Sequence, residues 1–318
     1  MKWTQGIIST RAGERLAIEP EIISASRATD IPAFHARWLL NRLSEGYCLW
    51  KNPFNPSQSQ YVSFKKCRLI VFWSKNPEPL LPHLRRIEDM GLQFCFHFTI
   101  NDYIAENLEP GLPPLARRIA AFRRLSERFG RERLIWRHDP IILGAGLDVA
   151  VILKRITRLA EQIAPFACRL VFSFVDFYRK TERNLGRINP DFRAPTRDEA
   201  KKLAEGLAQL PLPVYSCAEN LVHPKIRPSS CIDPELVKKL CPDLAAVLPA
   251  AKTQKALQLP LLPSAKDIPR EKLCGCIPAK DIGTYDSCRH GCVYCYACNS
   301  KNSVLAKLRR MNVDSENL

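Results

Sequence analysis

The chain has 318 residues, 46% apolar and 25% charged, which excludes collagen-like, low-complexity and largely disordered classes. Its 48 basic against 32 acidic residues leave a net charge of +16, a balance that suits a polyanionic partner, nucleic acid first among them. No apolar run reaches the roughly 18–20 residues of a membrane span, and Met1 to Pro20 lacks the apolar core of a signal peptide, so the expected location is cytoplasmic with no membrane partner.

The basic residues are spread along the chain, in pairs such as Arg85-Arg86, Arg117-Arg118 and Lys201-Lys202, and no run approaches a nucleic-acid patch. A solvated surface explains them equally well. The length suits two domains or one large α/β barrel.

From residue 21 to 220 short apolar runs alternate with amphipathic helical stretches. The first run, Ile22 to Ser26, is tipped by Arg27, Thr29 and Asp30, and a helix is expected near Ala33 to Ser44. Asn52 to Gln60 exceeds the usual connection length and reads as a long loop, a candidate lid. The second run, Arg68 to Trp73, is tipped by Ser74, Lys75 and Asn76, with a helix from Leu80 to Met90 stopped by Gly91. Gln93 to Ile100 forms the third run, tipped by Asn101. Arg133 to Trp136 forms the fourth, tipped by Arg137, His138 and Asp139. Arg169 to Phe174 and Leu212 to Ser216 complete the set, tipped by Asp176 and by Cys217 and Glu219.

Helices are expected over Pro113 to Phe129, Asp148 to Ile163 and Thr196 to Leu210, the last opened by a Thr196–Glu199 capping box. Units of this kind imply parallel strands joined by crossover helices, with ligands at the C-terminal strand ends. After residue 220 the rhythm breaks, which divides the chain into a barrel-like segment 1–220 and a segment 221–318. The latter holds a Pro- and Lys-rich linker, a short helix at Pro234 to Lys239, a cysteine-rich stretch, a helix at Ser303 to Met311, and a frayed end from Asn312 to Leu318.

Of 13 cysteines, Cys274, Cys276, Cys288, Cys292, Cys295 and Cys298 fall within 25 residues. In a reducing compartment such density means metal or redox chemistry rather than a disulfide framework. Cys288, Cys292 and Cys295, spaced by three and then two residues, can wrap one iron–sulfur cluster with each thiolate on a separate iron, leaving a fourth iron open. Other readings stay open. Cys292, Cys295 and Cys298 form the start of a ferredoxin-type run without its Cys-Pro, pairs of these residues suit a zinc Cys₄ site, and all six could be inert thiols.

The segment CRHGCVYCYA, with Tyr294 directly before Cys295, resembles the radical S-adenosylmethionine (SAM) signature, in the form carried by spore photoproduct lyase and its relatives. SASRATDIPAF, NPFNPSQSQYVSF, VFWSKNP, WRHDPI and DIGTYDSCRHGCVYCYA extend the likeness over residues 22–298, to the uncharacterised domain of unknown function 1848 family. The resemblance implies a [4Fe–4S] cluster on Cys288, Cys292 and Cys295, SAM on its open iron, an external electron donor, and hydrogen abstraction from a substrate it does not specify. It also implies a TIM-like partial barrel. In that superfamily the cysteine loop follows the first strand, so here Lys280 to Tyr285, the cysteines and the last helix would be that unit permuted to the C-terminus. No Gly-Gly-Glu segment follows the second strand.

Against that background Lys75, Asn76, Arg137, Asp139, Glu219 and Tyr294 are the candidate SAM-binding residues. Arg137 and Asp139 share a strand face, and a carboxylate such as Glu219 just past a buried strand calls for a partner. Arg27 could hold an anion or close a turn with Asp30, and His97 reads as a core histidine. Cys217, Cys231, Cys274 and Cys276 form a candidate second metal site, with buried small residues as the ordinary alternative. A nucleic-acid substrate is the leading expectation. The rival is a zinc- or Fe–S-braced nucleic-acid-binding protein without catalysis.

Overall fold

The computed structural model describes residues 3–53, 55–219, 221, 223–245 and 275–318. Chain order begins with a hairpin, β1 (Gln5–Thr10) and β2 (Gly13–Ile18), then β3 (Ile22–Ala25), α1 (Ile31–Phe34) and α2 (Ala36–Glu45). A second hairpin follows, β4 (Tyr47–Asn52) and β5 (Asn55–Ser63), then β6 (Leu69–Ser74), α3 (Leu84–Asp89), β7 (Gln93–Thr99) and α4 (Leu115–Phe129). Next come β8 (Leu134–Ile141), α5 (Val149–Ile163), β9 (Arg169–Phe174), α6 (Arg179–Ile188), α7 (Arg197–Leu207) and β10 (Val214–Ser216). The last described elements are β11 (Ile226–Pro228), α8 (Pro234–Leu240), α9 (Pro242–Ala245), β12 (Lys280–Asp281) and α10 (Lys301–Leu308).

Eight strands form one parallel sheet in the order β11-β10-β9-β8-β7-β6-β3-β12. From β3 to β11 each strand lies beside its predecessor, so the winding runs in one direction. Right-handed crossovers then put the helices on one face. The burial agrees: Ile70 and Phe72 of β6 join Leu39, Leu84, Phe122 and Ile156 in the main core. Alternate residues Leu69 and Val71 face the other way and pack with Val237, Leu244 and Ile277, so α8, α9 and the segment before β12 cover that second face. Among the described residues the sheet is open, with ends at β11 and β12, and does not close into a barrel. These two edge strands, three and two residues long, present little backbone for a further ladder.

Local chemistry sets the helix starts. Asp148 accepts the Val151 N–H, and Thr196 and Glu199 form the expected capping box on α7. Two expectations are overturned. Asn52 to Gln60 is mostly strand: β5 pairs antiparallel with β4 and parallel with β2 in a separate four-stranded sheet, so no lid exists there. The buried Val62 of β5, paired with Ile18 of β2, fixes this register. The end of the chain is anchored rather than frayed. Trp38 Nε1 donates to Ser315 O at 2.9 Å, Leu49 N–H to Glu316 O at 2.8 Å, and Leu318 is buried.

Among the described residues no helix is long and apolar enough to cross a membrane. Both β11 and β12, from the segment after residue 220, pair into the sheet built by the segment before it.

Candidate functional site

The C-terminal strand ends meet the cysteine loop, and Asp281 at the end of β12 ties the two together. Its carboxylate accepts from Ser24 Oγ at 2.5 Å, Ser26 Oγ at 2.7 Å and Arg27 N–H at 2.8 Å. Beyond it, Ser287 Oγ donates to Thr29 Oγ1 at 2.8 Å, and His35 Nε2 donates to Ser287 O at 3.0 Å. Burial lowers the His35 pKa. Between Cys288 and Cys292 the chain turns at Gly291, whose φ of +66° favours glycine.

His290, inside that turn, contacts Asp30 Oδ2 through Nε2 at 2.8 Å. Asp30 also accepts from Ser74 Oγ at 2.8 Å, Lys75 N–H at 2.7 Å and Ala33 N–H at 3.0 Å. One buried carboxylate thus joins the ends of β3 and β6, the start of α1 and the cysteine loop. From the other side the loop after β7 grips the same turn: Gly111 N–H donates to His290 O at 2.9 Å and Val293 N–H to Leu108 O at 2.9 Å. A Cβ on Gly111 would stand 2.5 Å from His290 O, so the close approach requires glycine.

A second buried carboxylate, Glu109, holds Tyr294. Its Oε1 accepts from the Tyr294 hydroxyl, from Lys75 Nζ at 2.7 Å and from Asn101 Nδ2 at 3.0 Å. Arg118 Nη1 lies 3.7 Å from Oε2. Burial raises the Glu109 pKa, but Lys75 and Arg118 outweigh it and hold the carboxyl below its ordinary value. Burial pushes the Tyr294 hydroxyl well up, so it stays protonated and donates.

Cys288, Cys292 and Cys295 open onto a cavity of about 310 Å³ at the C-terminal edge of the parallel sheet. Lys75, Arg137, Asp139 and Tyr294 line it, as do Asp30, His290, Arg27 and Trp73. Arg137 Nε contacts Asp139 Oδ2 at 3.1 Å, and Ser173 Oγ donates to Asp139 Oδ1 at 2.5 Å. Burial raises the Asp139 pKa, yet Arg137 and the Ser173 bond bring it below the usual range. The expected shared face of Arg137 and Asp139 is therefore real, and His138 between them points away, buried and neutral because burial lowers it to about 4.

Burial pushes Cys288 up to about 12 and Cys292 up further, whereas a hydrogen bond from Cys298 brings Cys295 down to about 6. Cys298 does not line the cavity; its sulfur stands 3.6 Å from Cys288 O. Among the described residues no three Cys, His, Asp or Glu side chains converge to hold a single metal ion.

Two of the candidate SAM-binding residues stand outside the cavity lining. Asn76 has its N–H on Ser74 Oγ at 3.0 Å, and Glu219 accepts the Phe174 N–H at 2.8 Å, which closes the end of β9. The Phe174 N–H gives Glu219 a backbone partner. Cys217 and Cys231 line the cavity wall opposite the cysteine loop, with Cys276 behind them and Cys274 outside the described residues. Hydrogen bonds from the Cys217 and Cys276 thiols hold Cys231 well below the ordinary thiol value, and Cys217 is pushed up in return. His97 is a core residue as expected. Burial lowers it to about 3, and its Nε2 donates to Cys231 O at 2.7 Å.

Sequence reading marked Asn101 as a strand tip but missed His290, Glu109, Arg118 and Ser173 as parts of the site. The position of His290 within the Cys-x-x-x-Cys spacing was a usable signal; Glu109 in a loop, Arg118 in α4 and Ser173 in β9 carry no local mark.

Fold and site together define an α/β protein with a cysteine-bearing loop over the C-terminal edge of a parallel sheet. A family model, the domain of unknown function DUF1848, matches residues 22–297, and the chain belongs to that family. No curated protein and no solved structure matches the chain.

Proposed function

We propose that the protein is a radical SAM enzyme in which Cys288, Cys292 and Cys295 hold a [4Fe–4S] cluster. The observation that carries this reading is the opening of these three thiols, spaced for separate irons, onto one cavity rimmed by polar strand ends. The donor set fits: soft thiolates suit iron–sulfur ligation, and the cavity leaves room beside them for a ligand. When bound, such a cluster supplies the electron that cleaves SAM reductively, drawn from an external donor.

The chain's own residues do the rest. Lys75 and Arg137 place two cations at the cavity wall for a carboxylate, and Asp139, fixed by Arg137 and Ser173, offers an acceptor for an ammonium or ribose hydroxyl. Tyr294, clamped through its hydroxyl by Glu109, presents its ring to the cavity and excludes water from the cysteine wall. Asn76 and Glu219 act as structural ends of β6 and β9 in this reading. The strand order supports the permuted arrangement: β12, last in the chain, stands beside β3 ahead of all other strands in an otherwise sequential parallel sheet. One-directional winding is also that of an unclosed barrel.

The +16 charge makes nucleic acid the first substrate to test. The deciding experiment is anaerobic purification with iron, sulfide and zinc analysis, then dithionite reduction with SAM and measurement of 5′-deoxyadenosine. Iron near four per chain and SAM cleavage abolished in C288A, C292A and C295A support the reading. Zinc without iron, or iron indifferent to SAM, removes it in favour of a metal-braced binding protein.

A further inference from the structure

Across the cavity from the cysteine loop, two more sulfurs touch. Cys217 follows β10 and Cys231 precedes α8, and their Sγ atoms are 3.3 Å apart, both thiols being free. Two thiolates on one tetrahedral zinc, with bonds of about 2.3 Å, would stand about 3.8 Å apart. The observed separation is shorter, as for a thiol donating to a neighbouring sulfur. Closing it to an S–S bond of about 2.05 Å needs roughly 1.3 Å of approach.

The surroundings distinguish the two sulfurs. Arg137 Nη1 lies 3.5 Å from Cys231 Sγ, while its Nε is committed to Asp139. A guanidinium beside a sulfur favours the thiolate, the nucleophilic form. The backbone around Cys231 is pinned on both sides: His97 Nε2 donates to its carbonyl at 2.7 Å, and its own N–H donates to Cys276 Sγ at 3.0 Å. The sulfur is therefore presented to the cavity from a fixed position, with its partner in contact.

We propose that Cys217 and Cys231 form a redox-active dithiol that reduces a disulfide-bearing ligand entering the cavity, with Cys231 attacking and Cys217 resolving. The Cys231 thiolate attacks one sulfur of the ligand disulfide, the ligand S–S bond breaks, and one thiolate leaves. Cys217 gives its proton to that leaving thiolate and displaces the second ligand sulfur from the mixed disulfide. The dithiol loses two electrons and becomes the Cys217–Cys231 disulfide; the ligand gains them and leaves as one thiol and one thiolate. This proposal does not depend on the iron–sulfur reading.

The test uses the full-length protein, exposed to glutathione disulfide with and without later dithiothreitol, alkylated and mapped by peptide mass. A trypsin site after Lys225 puts the two cysteines on separate peptides. The expected result is a Cys217–Cys231 link that dithiothreitol reverses, no reaction in C231S, and one glutathione trapped on Cys231 in C217S. Glutathione disulfide that leaves both thiols alkylatable in the wild-type chain overturns the proposal. So does a link from Cys231 to Cys276 in place of Cys217. Zinc or iron retained by the C288A/C292A/C295A variant and released by adding C217S also overturns it, in favour of a metal site.

Discussion

Removing the Glu109 carboxylate strands charge inside the protein. Its side chain is 4% exposed and meets Lys75 at 16% and Arg118 at 3%, with the Tyr294 hydroxyl on the same oxygen as Lys75. Glu109→Ala leaves two cations and a hydroxyl without their acceptor. Breaking a buried pair by deleting one partner costs about 3–5 kcal/mol. Against a total stability of about 5–15 kcal/mol, that is a large fraction. Glu109→Gln keeps the shape and one acceptor oxygen and loses the charge, so a smaller loss of about 1.5–3 kcal/mol is expected.

Urea unfolding measures both: the midpoint should fall with the slope unchanged. Because the folded Glu109 pKa lies below its ordinary 4.5, its stabilisation is complete above that value and is lost as pH falls through the folded pKa. The wild type should therefore lose stability below about pH 4.5 by an increment that Glu109→Gln lacks. A Lys75→Met background should shrink the Glu109→Gln loss by about 1 kcal/mol or more, since contacting residues couple. If both Glu109 variants stay within about 0.5 kcal/mol of wild type, the clamp argument is wrong.

Asp30→Ala removes the acceptor for the Ser74 hydroxyl and the Lys75 and Ala33 N–H groups, and an expected 2–4 kcal/mol, roughly, should disappear from thermal unfolding. In the same variant the cysteine loop loses its His290 tie, so reconstituted iron should fall as well. Gly111→Ala forces a methyl to 2.5 Å from the His290 carbonyl; about 1–3 kcal/mol of destabilisation is expected, and an unchanged melting point would show that the loop yields freely. Asp281→Ala frees β12 from Ser24, Ser26 and the Arg27 N–H; proteolysis should then cut preferentially between residues 282 and 300, and an unaltered digestion pattern counts against the anchoring role.

Periodicity made the large sheet readable because its central strands are buried on both faces and show as apolar runs such as Leu69 to Trp73 and Phe94 to Phe96. The helix boundaries followed from side-chain caps at Asp148 and Thr196. What failed had physical causes. Strand β5 carries Gln58, Ser59 and Gln60 on an exposed sheet, so its polar, proline-containing composition reads as loop until β4 is placed beside it. The chain end looked frayed because its anchors, Trp38, Tyr47 and Leu49, lie more than 260 residues upstream.

In the site, Arg137 and Asp139 were legible because strand alternation is local, and the cysteines because their spacing is. Glu109 was not. Its four partners come from β6, the end of β7, α4 and the cysteine loop, and only the folded chain brings them together.

That distribution has a consequence for assembly. The cysteine-loop wall of the cavity depends on contacts between residues 24–35 and residues 281–290, which the sheet makes neighbours and the chain keeps about 250 residues apart. Asp281 supplies four hydrogen bonds across or within this junction, and Asp30 supplies the return contact to His290. Closing so long a loop is entropically costly, though the cost grows only slowly with length. Docking of the cysteine loop on the ends of β3 and β6 brings Cys292 beside Lys75. A metal or cluster held at Cys288, Cys292 and Cys295 would bind the docked form alone, and by mass action would stabilise the β12–β3 edge that its own loop depends on.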